Sequence, residues 1–158
     1  MRKVLTITML GILSGCTSIP KDAPPYRSAP IANDNSGTLY IYRVGAYPTL
    51  RTPSIFVDSN KIIDPPEKAY TWIYLSPGNH SVTVDWAWDT GWPDLSFEIP
   101  IEAGKEHFLK ITGSFENLGL KYRAGSEALY MEKSIAEKEL KECCRYIIPA
   151  NKQSQLDR

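Results

Sequence analysis

The chain is 158 residues long, 42% of them hydrophobic, with 18 Lys and Arg balanced by 18 Asp and Glu. That length suits one domain with one core. The balanced charge leaves no basic field of the kind that grips a polyphosphate backbone, which excludes nucleic acid as the expected partner.

Arg2 and Lys3 precede a mostly apolar run over residues 4–13. These are the charged and hydrophobic regions of a secretory signal, too short to span a bilayer. The run ends in Leu13-Ser14-Gly15-Cys16, which resembles the lipobox of bacterial lipoproteins. The resemblance covers the first 16 residues. It implies a diacylglyceryl thioether on Cys16, removal of residues 1–15 and acylation of the new amino group. Thr17 stands where an Asp would favour inner-membrane retention, which implies the outer membrane. Several acyl chains, at about 0.8 kcal/mol per buried methylene, make a stable anchor where one alone would be marginal. Cleavage takes away two cations and no anions, leaving the mature chain slightly acidic. Attachment to the membrane therefore rests on lipid, and the folded part is expected in aqueous periplasm.

Residues 17–36 hold four of the twelve prolines and almost no apolar period. They predict an extended, poorly ordered tether, with an edge segment near Ile31 as the alternative. The domain is then 37–149, and the polar residues 150–158 read as a disordered tail.

Gly37 opens Thr38-Leu39-Tyr40-Ile41-Tyr42-Arg43-Val44, rich in β-branched and aromatic residues. Leu39, Ile41 and Arg43 point one way and Tyr40, Tyr42 and Val44 the other, so this strand is expected at the centre of a sheet covered on both faces. After a proline-marked loop over 45–53 come strands at 54–58 and 61–63. Ser59-Asn60 between them suits a tight hairpin turn, since Asn tolerates positive φ. A strand at 69–75 leads to Ser76-Pro77-Gly78-Asn79, with Pro and Gly where a type II turn needs them. Residues 80–88 then run back, with Val82, Val84 and Trp86 on a buried face and Ser81, Thr83 and Asp85 on a wet one.

Residues 95–101 place Leu95, Phe97, Ile99 and Ile101 in period two. Ala103-Gly104 turns the chain into a strand over 107–112. Residues 113–119 read as a loop, and 120–123 with 128–131 as a last, bulged pair around Gly125. At Ser134 the period changes. Ser134-Ile135-Ala136-Glu137 is a capping box, Glu137 and Lys141 are a pair four apart, and Ile135, Leu140 and Cys144 form a thin apolar stripe. This predicts a helix over 135–144, packed on a sheet edge. The whole is an all-β fold, a β-sandwich or small barrel of about seven to nine mostly antiparallel strands with one short C-terminal helix.

Of three cysteines, Cys143 and Cys144 remain once Cys16 is lipidated. An oxidising compartment favours a disulfide, but adjacent Cα atoms sit closer than disulfide geometry prefers. The reading is one packed thiol beside one half-exposed thiol, with a vicinal or an intermolecular bond as alternatives. No Cys-x-x-Cys spacing supports a redox role.

The motifs Leu39-Tyr40-Ile41-Tyr42-Arg43, Ile55-Phe56-Val57-Asp58 and Leu75-Ser76-Pro77-Gly78-Asn79-His80 resemble a family of small Gram-negative lipoproteins that carry a domain of unknown function. Residues 55–84 are also similar to the PEGA repeat, a small β module of surface and envelope proteins. The resemblance covers roughly 38–112 and implies an all-β fold and an envelope role. It supplies no catalytic residues.

Chemistry is sparse. His80 and His107 share no metal-ligand spacing with each other or with the cysteines. No Gly-x-Ser-x-Gly elbow and no phosphate-cradling loop is present. Neither catalytic residues, metal ligands nor a cofactor are expected. The suggestive feature is Trp86-Ala87-Trp88-Asp89-Thr90-Gly91-Trp92. Trp86 and Trp88 share a strand face, and Trp92, just past the turn, is the expected exposed member. Indole faces could stack on sugars, with Asp89 and Asp94 accepting hydroxyl hydrogen bonds. Equally, Trp86 could extend the buried Val82-Val84 row while the others cap the core. Trp86, Trp88, Asp89 and Trp92 are thus the candidate ligand-binding residues. The expected role is a noncatalytic binding or scaffold module for an envelope protein, including inhibition of a lysozyme-like hydrolase. The alternative is a binder of peptidoglycan or lipopolysaccharide sugars.

Overall fold

A computed structural model describes residues 18–32, 35–45, 51–117, 119 and 122–150. The signal segment, Cys16 and the tail after 150 lie outside the described residues. Nine strands among the described residues form two sheets. Strands β1 (Gly37–Arg43), β4 (Ala69–Leu75), β7 (Glu106–Asn117), β8 (Tyr122–Met131) and β9 (Arg145–Tyr146) make one, in the order β8-β7-β1-β4-β9. Strands β2 (Ser54–Val57), β3 (Asn60–Ile63), β5 (Gly78–Asp85) and β6 (Leu95–Ile101) make the other, in the order β3-β2-β5-β6. Pairing is antiparallel except for β1 with β7 and β4 with β9. The expected mostly antiparallel all-β fold with one C-terminal helix is what the chain adopts.

The core follows from alternation. Leu39 and Ile41 of β1 meet Ile55, Val57, Val82, Val84, Ile99 and Ile101 from the facing sheet. Each such side chain contributes roughly 1.5–3 kcal/mol by leaving water. The other face of β1 carries Tyr40 and Tyr42, packed with Tyr70, Phe108, Ala136, Leu140 and Cys144. Every residue of β1 is buried, as its two apolar faces require. Gly37 begins it because a Cβ there would lie 2.5 Å from the Glu102 carbonyl oxygen.

Several local expectations are corrected. The β2–β3 hairpin turns on Asp58 and Ser59, at φ 49° and 64°, and Asn60 is the first residue of β3. Asp58 tolerates the left-handed backbone because its carboxylate accepts bonds from His80 Nδ1 at 2.6 Å and the Ser81 amide at 3.0 Å. The Pro77-Gly78 turn does not fold β5 back on β4. It carries the chain from one sheet to the other, and β5 ends at Asp85, short of Trp88. Residues 113–117 continue β7, and 122–131 form one strand paired to it along its length, with Ser114 opposite Gly125. The two strands satisfy each other's backbone groups, so the pair runs on past the end of β1.

The helix α1 (Lys133–Cys143) is capped by Glu132, whose carboxylate accepts the Ser134 and Ile135 amides at 3.1 and 3.3 Å. Ser134 is therefore inside the helix, and its expected cap position belongs to Glu132. Glu137 and Lys141 do pair, at 3.3 Å. The buried stripe is Ala136 and Leu140, with Ile135 exposed. It packs on the tyrosine face of the five-stranded sheet, not on its edge. Cys143 and Cys144 are joined to each other as a disulfide, which overturns the reading of two separate thiols. Cys144 leaves the helix at φ −112° and ψ 147°, and that change of backbone brings the neighbouring sulfurs together.

The largest departure concerns the tether. Residues 18–32 lie on the domain. Pro25 bridges to Arg145, the Tyr146 amide donates to the Pro24 carbonyl at 2.9 Å, and Ala23 is buried. The Arg27 and Ala29 amides then donate to the hydroxyls of Tyr70 and Tyr40 at 2.9 and 2.7 Å. Proline-rich chain is already extended, so buried tyrosine hydroxyls can hold it as a strap. Ile31 itself is fully exposed.

Candidate binding surface around Trp88

Val82 and Val84 of β5 are buried, and Trp86, the first residue past the strand, continues that row inward at 3% exposed. Its indole nitrogen donates to Ser126 Oγ on β8 at 2.5 Å, and its amide to Asp94 Oδ1 at 2.8 Å. The Arg43 guanidinium lies 5.2 Å from the ring centroid, close enough for a cation–π contact. Arg43 is fully buried. It donates to the carbonyls of Arg51 and Pro65 at 2.8 and 3.2 Å and lies 3.7 Å from the Glu67 carboxylate. Burial pulls its pKa below the ordinary value, with Glu67 acting in the opposite direction, and an arginine stays charged regardless.

Past Trp86 the chain makes a short 3₁₀ turn, Trp88–Thr90. Thr90 closes it, donating from both its amide and its hydroxyl to the Ala87 carbonyl at 2.9 and 2.8 Å. Gly91, at φ 66°, reverses the direction, a backbone state that L side chains resist. The reversal inserts Trp92 beneath Trp86, with centroids 4.9 Å apart and planes at 51°. The Trp92 amide donates back to Thr90 Oγ1 at 3.1 Å. Asp89 pairs with Arg51 on the flank, so a buried arginine fixes the backbone of the arginine that steadies the turn.

The structure therefore reverses the expected exposure of the tryptophans. Trp92 is 9% exposed, while Trp88 is 94% exposed. Trp86 and Trp88 do not share a strand face, because β5 ends at Asp85, before both, and Trp88 already belongs to the 3₁₀ turn. Trp86 and Trp92 meet in the core, and Trp88 projects alone from the turn. Asp89 is engaged by Arg51, and Asp94 by the Trp86 amide. Arg43, Arg51 and Ser126 were not read from sequence as parts of this site. A charged residue closing an otherwise apolar strand, at Arg43, is the one signal that pointed here.

Both histidines are tied into the fold. His80 faces an acceptor with each ring nitrogen, the Asp58 carboxylate and the Ser76 carbonyl at 2.8 Å, so both nitrogens donate. Burial opposes this charge, but those two bonds prevail and raise the pKa. His107 is held neutral by burial. Its Nε2 accepts the Glu102 amide at 3.1 Å and its Nδ1 bonds the Tyr130 hydroxyl. Among the described residues no group of three or more His, Cys, Asp or Glu is arranged to hold a metal ion, and no helix is long and apolar enough to cross a membrane.

The model of one family, described as protein of unknown function (DUF2846), matches residues 33–126. The chain belongs to the DUF2846 family. No curated protein and no solved structure is similar enough to the chain to count as a match. The DUF2846 match takes in β1 to β7 and the first half of β8, ending at Ser126, the partner of the Trp86 indole. All of the Trp88 turn and its supports lie inside it. The strap 18–32, α1 and β9 lie outside.

Proposed function

We propose that this DUF2846 protein is a lipoprotein of the bacterial outer membrane, anchored through acyl chains on Cys16 and facing the periplasm. Its domain is a noncatalytic module that binds an envelope protein through the Trp88 turn. The Arg2-Lys3 flank, the short apolar run and Leu13-Ser14-Gly15-Cys16 support the anchor. The likeness of residues 55–84 to the PEGA module, carried by its Leu75-Ser76-Pro77-Gly78-Asn79-His80 turn, supports the envelope role.

The observation that carries the binding reading is Trp88, an indole almost wholly in water on a turn braced from below. Large exposed aromatics on preorganised supports are the residues that dominate protein interfaces, since little ordering entropy is lost on contact. The glycan reading needs paired rings or free carboxylates beside the indole, and here Trp92 is buried while Asp89 and Asp94 are engaged.

Crosslinking in intact cells tests the reading. A discrete crosslinked species should form with the wild type and with Ile135→Ala, and disappear with Trp88→Ala. Equal crosslinking by all three would remove Trp88 from recognition. A species that a muramidase dissolves would replace the protein partner with peptidoglycan. An unmodified Cys16 thiol in the mature protein would remove the anchor.

A further inference from the structure

The docked strap constrains how the domain meets the membrane. Pro20 lines a groove of about 470 Å³ at the β9 edge together with Ala23, Pro24, Ile147 and Ile148, and Ser18 stands two residues before it. Cys16 is two residues before Ser18, a reach of roughly 7 Å, and four before Pro20, about 14 Å at full extension. We infer that the β9 edge of the five-stranded sheet rests on the lipid headgroups, with Pro20, Pro24 and Ile148 at the boundary.

This inference rests on the acylation of Cys16 proposed above. Given that acylation, the span leaves no room for a domain standing off the bilayer. The surface at this edge is suited to the contact. Ile148 is 41% exposed, Ile147 is half-buried behind it, and the rim is mostly proline, alanine and isoleucine with Asp22 as its charged member. Partly exposed apolar residues of this kind settle in the headgroup boundary once a lipid chain removes the entropic cost of getting there. The orientation also follows. Strand β8 is the opposite edge of the same sheet, four strand spacings or about 19 Å away. Its exposed Leu129 and Tyr130 then face the periplasm.

A photoreactive phenylalanine derivative placed at position 148, 20 or 129 of the full-length protein, irradiated in intact cells, tests this. Phospholipid adducts should form at 148 and 20 and not at 129. A ten-residue Gly-Ser insertion between Thr17 and Ser18 should lower the adduct yield at 148 by roughly tenfold, as effective concentration falls with about the −3/2 power of linker length. The mass of the N-terminal peptide, read in the same samples, separates the two claims. Acylated Cys16 with no lipid adduct at 148, with protein adducts there instead, or with as much lipid at 129, overturns the orientation and leaves the anchor standing. A free Cys16 thiol refutes the anchor and the orientation together.

Discussion

One strand, β1, faces two cores of different chemistry. Leu39 and Ile41 look into an aliphatic layer between the sheets. Tyr40 and Tyr42 look into an aromatic layer beneath the strap and α1, where Tyr40 stacks on Phe108 with centroids 4.7 Å apart and planes at 8°. Where Leu39 and Ile41 meet the facing sheet, the first layer is held by burial, which has no direction and rewards any apolar neighbour. The second is directional. Tyr40 accepts from the Ala29 amide at 2.7 Å and donates to Glu106 at 2.9 Å, and Tyr42 donates to Glu139, which Lys110 also reaches at 2.8 Å. Burial pushes both phenols above their ordinary pKa, with the Ala29 amide opposing the rise at Tyr40 and Glu106 and Glu139 adding to it. They remain donors at any physiological pH. The aliphatic layer makes a sandwich, and the tyrosine layer decides which segments cover it.

That contrast is broken most severely from the aliphatic side. Ile41→Ala should lower unfolding stability by about 2–5 kcal/mol through lost burial and a residual cavity, seen as a lower urea midpoint. A loss below about 1 kcal/mol would mean the two sheets are not packed through β1.

The tyrosine layer should respond differently. Tyr40→Phe removes the acceptor of the Ala29 amide and the donor to Glu106, at about 1–3 kcal/mol. Its signature is local, with faster hydrogen exchange at Ala29 and earlier proteolysis within 18–32 than in Ile41→Ala at matched stability. Uniform exchange across the chain in Tyr40→Phe would mean the strap is not held by the tyrosines.

A smaller effect lies at the hairpin turn and depends on pH. The raised pKa of His80 stabilises the fold fully below its ordinary value of 6.5 and stops doing so as pH climbs through the folded value. The lowered pKa of Asp58, due first to its bond with His80, stabilises above the ordinary 3.8 and is lost as pH falls through the folded value. The pair therefore contributes most between these two ordinary values and fades toward alkaline pH. Asp58→Asn should be least stable relative to wild type at about pH 5–6, with the gap narrowing as pH rises through the folded value of His80. A gap independent of pH would show that the pair is not ionic. The smallest change in stability belongs to Trp88→Ala, within about 0.5 kcal/mol because the ring touches little, although its effect on crosslinking should be complete.

What could be read in advance follows the same division. Period-two alternation located β1, β5 and β6 and the two faces of β1, because burial between sheets writes itself directly into the residue pattern. The strap was misread because prolines at 20, 24, 25 and 30 look the same whether extended chain is free or held. What holds it are hydroxyls far away in sequence, on Tyr40 and Tyr70. Trp92 was misread for a related reason. Gly91-Trp92-Pro93 has the composition of a surface turn, and only the left-handed backbone at Gly91 sends the indole inward. The β7–β8 ladder was missed because Gly113, Ser114 and Gly125 carry no apolar period, and a paired backbone does not need one. The exposed tryptophan of this stretch is Trp88, where the sequence pointed to Trp92.

Hydroxyl-radical footprinting of the tryptophans, read by mass spectrometry, tests most directly the idea that a braced turn hands one indole to a partner. In the purified protein Trp88 should oxidise readily while Trp86 and Trp92 stay protected. In intact cell envelopes Trp88 should become protected as well. Oxidation of Trp92 in the purified protein, or a Trp88 equally reactive with and without the envelope, would contradict it.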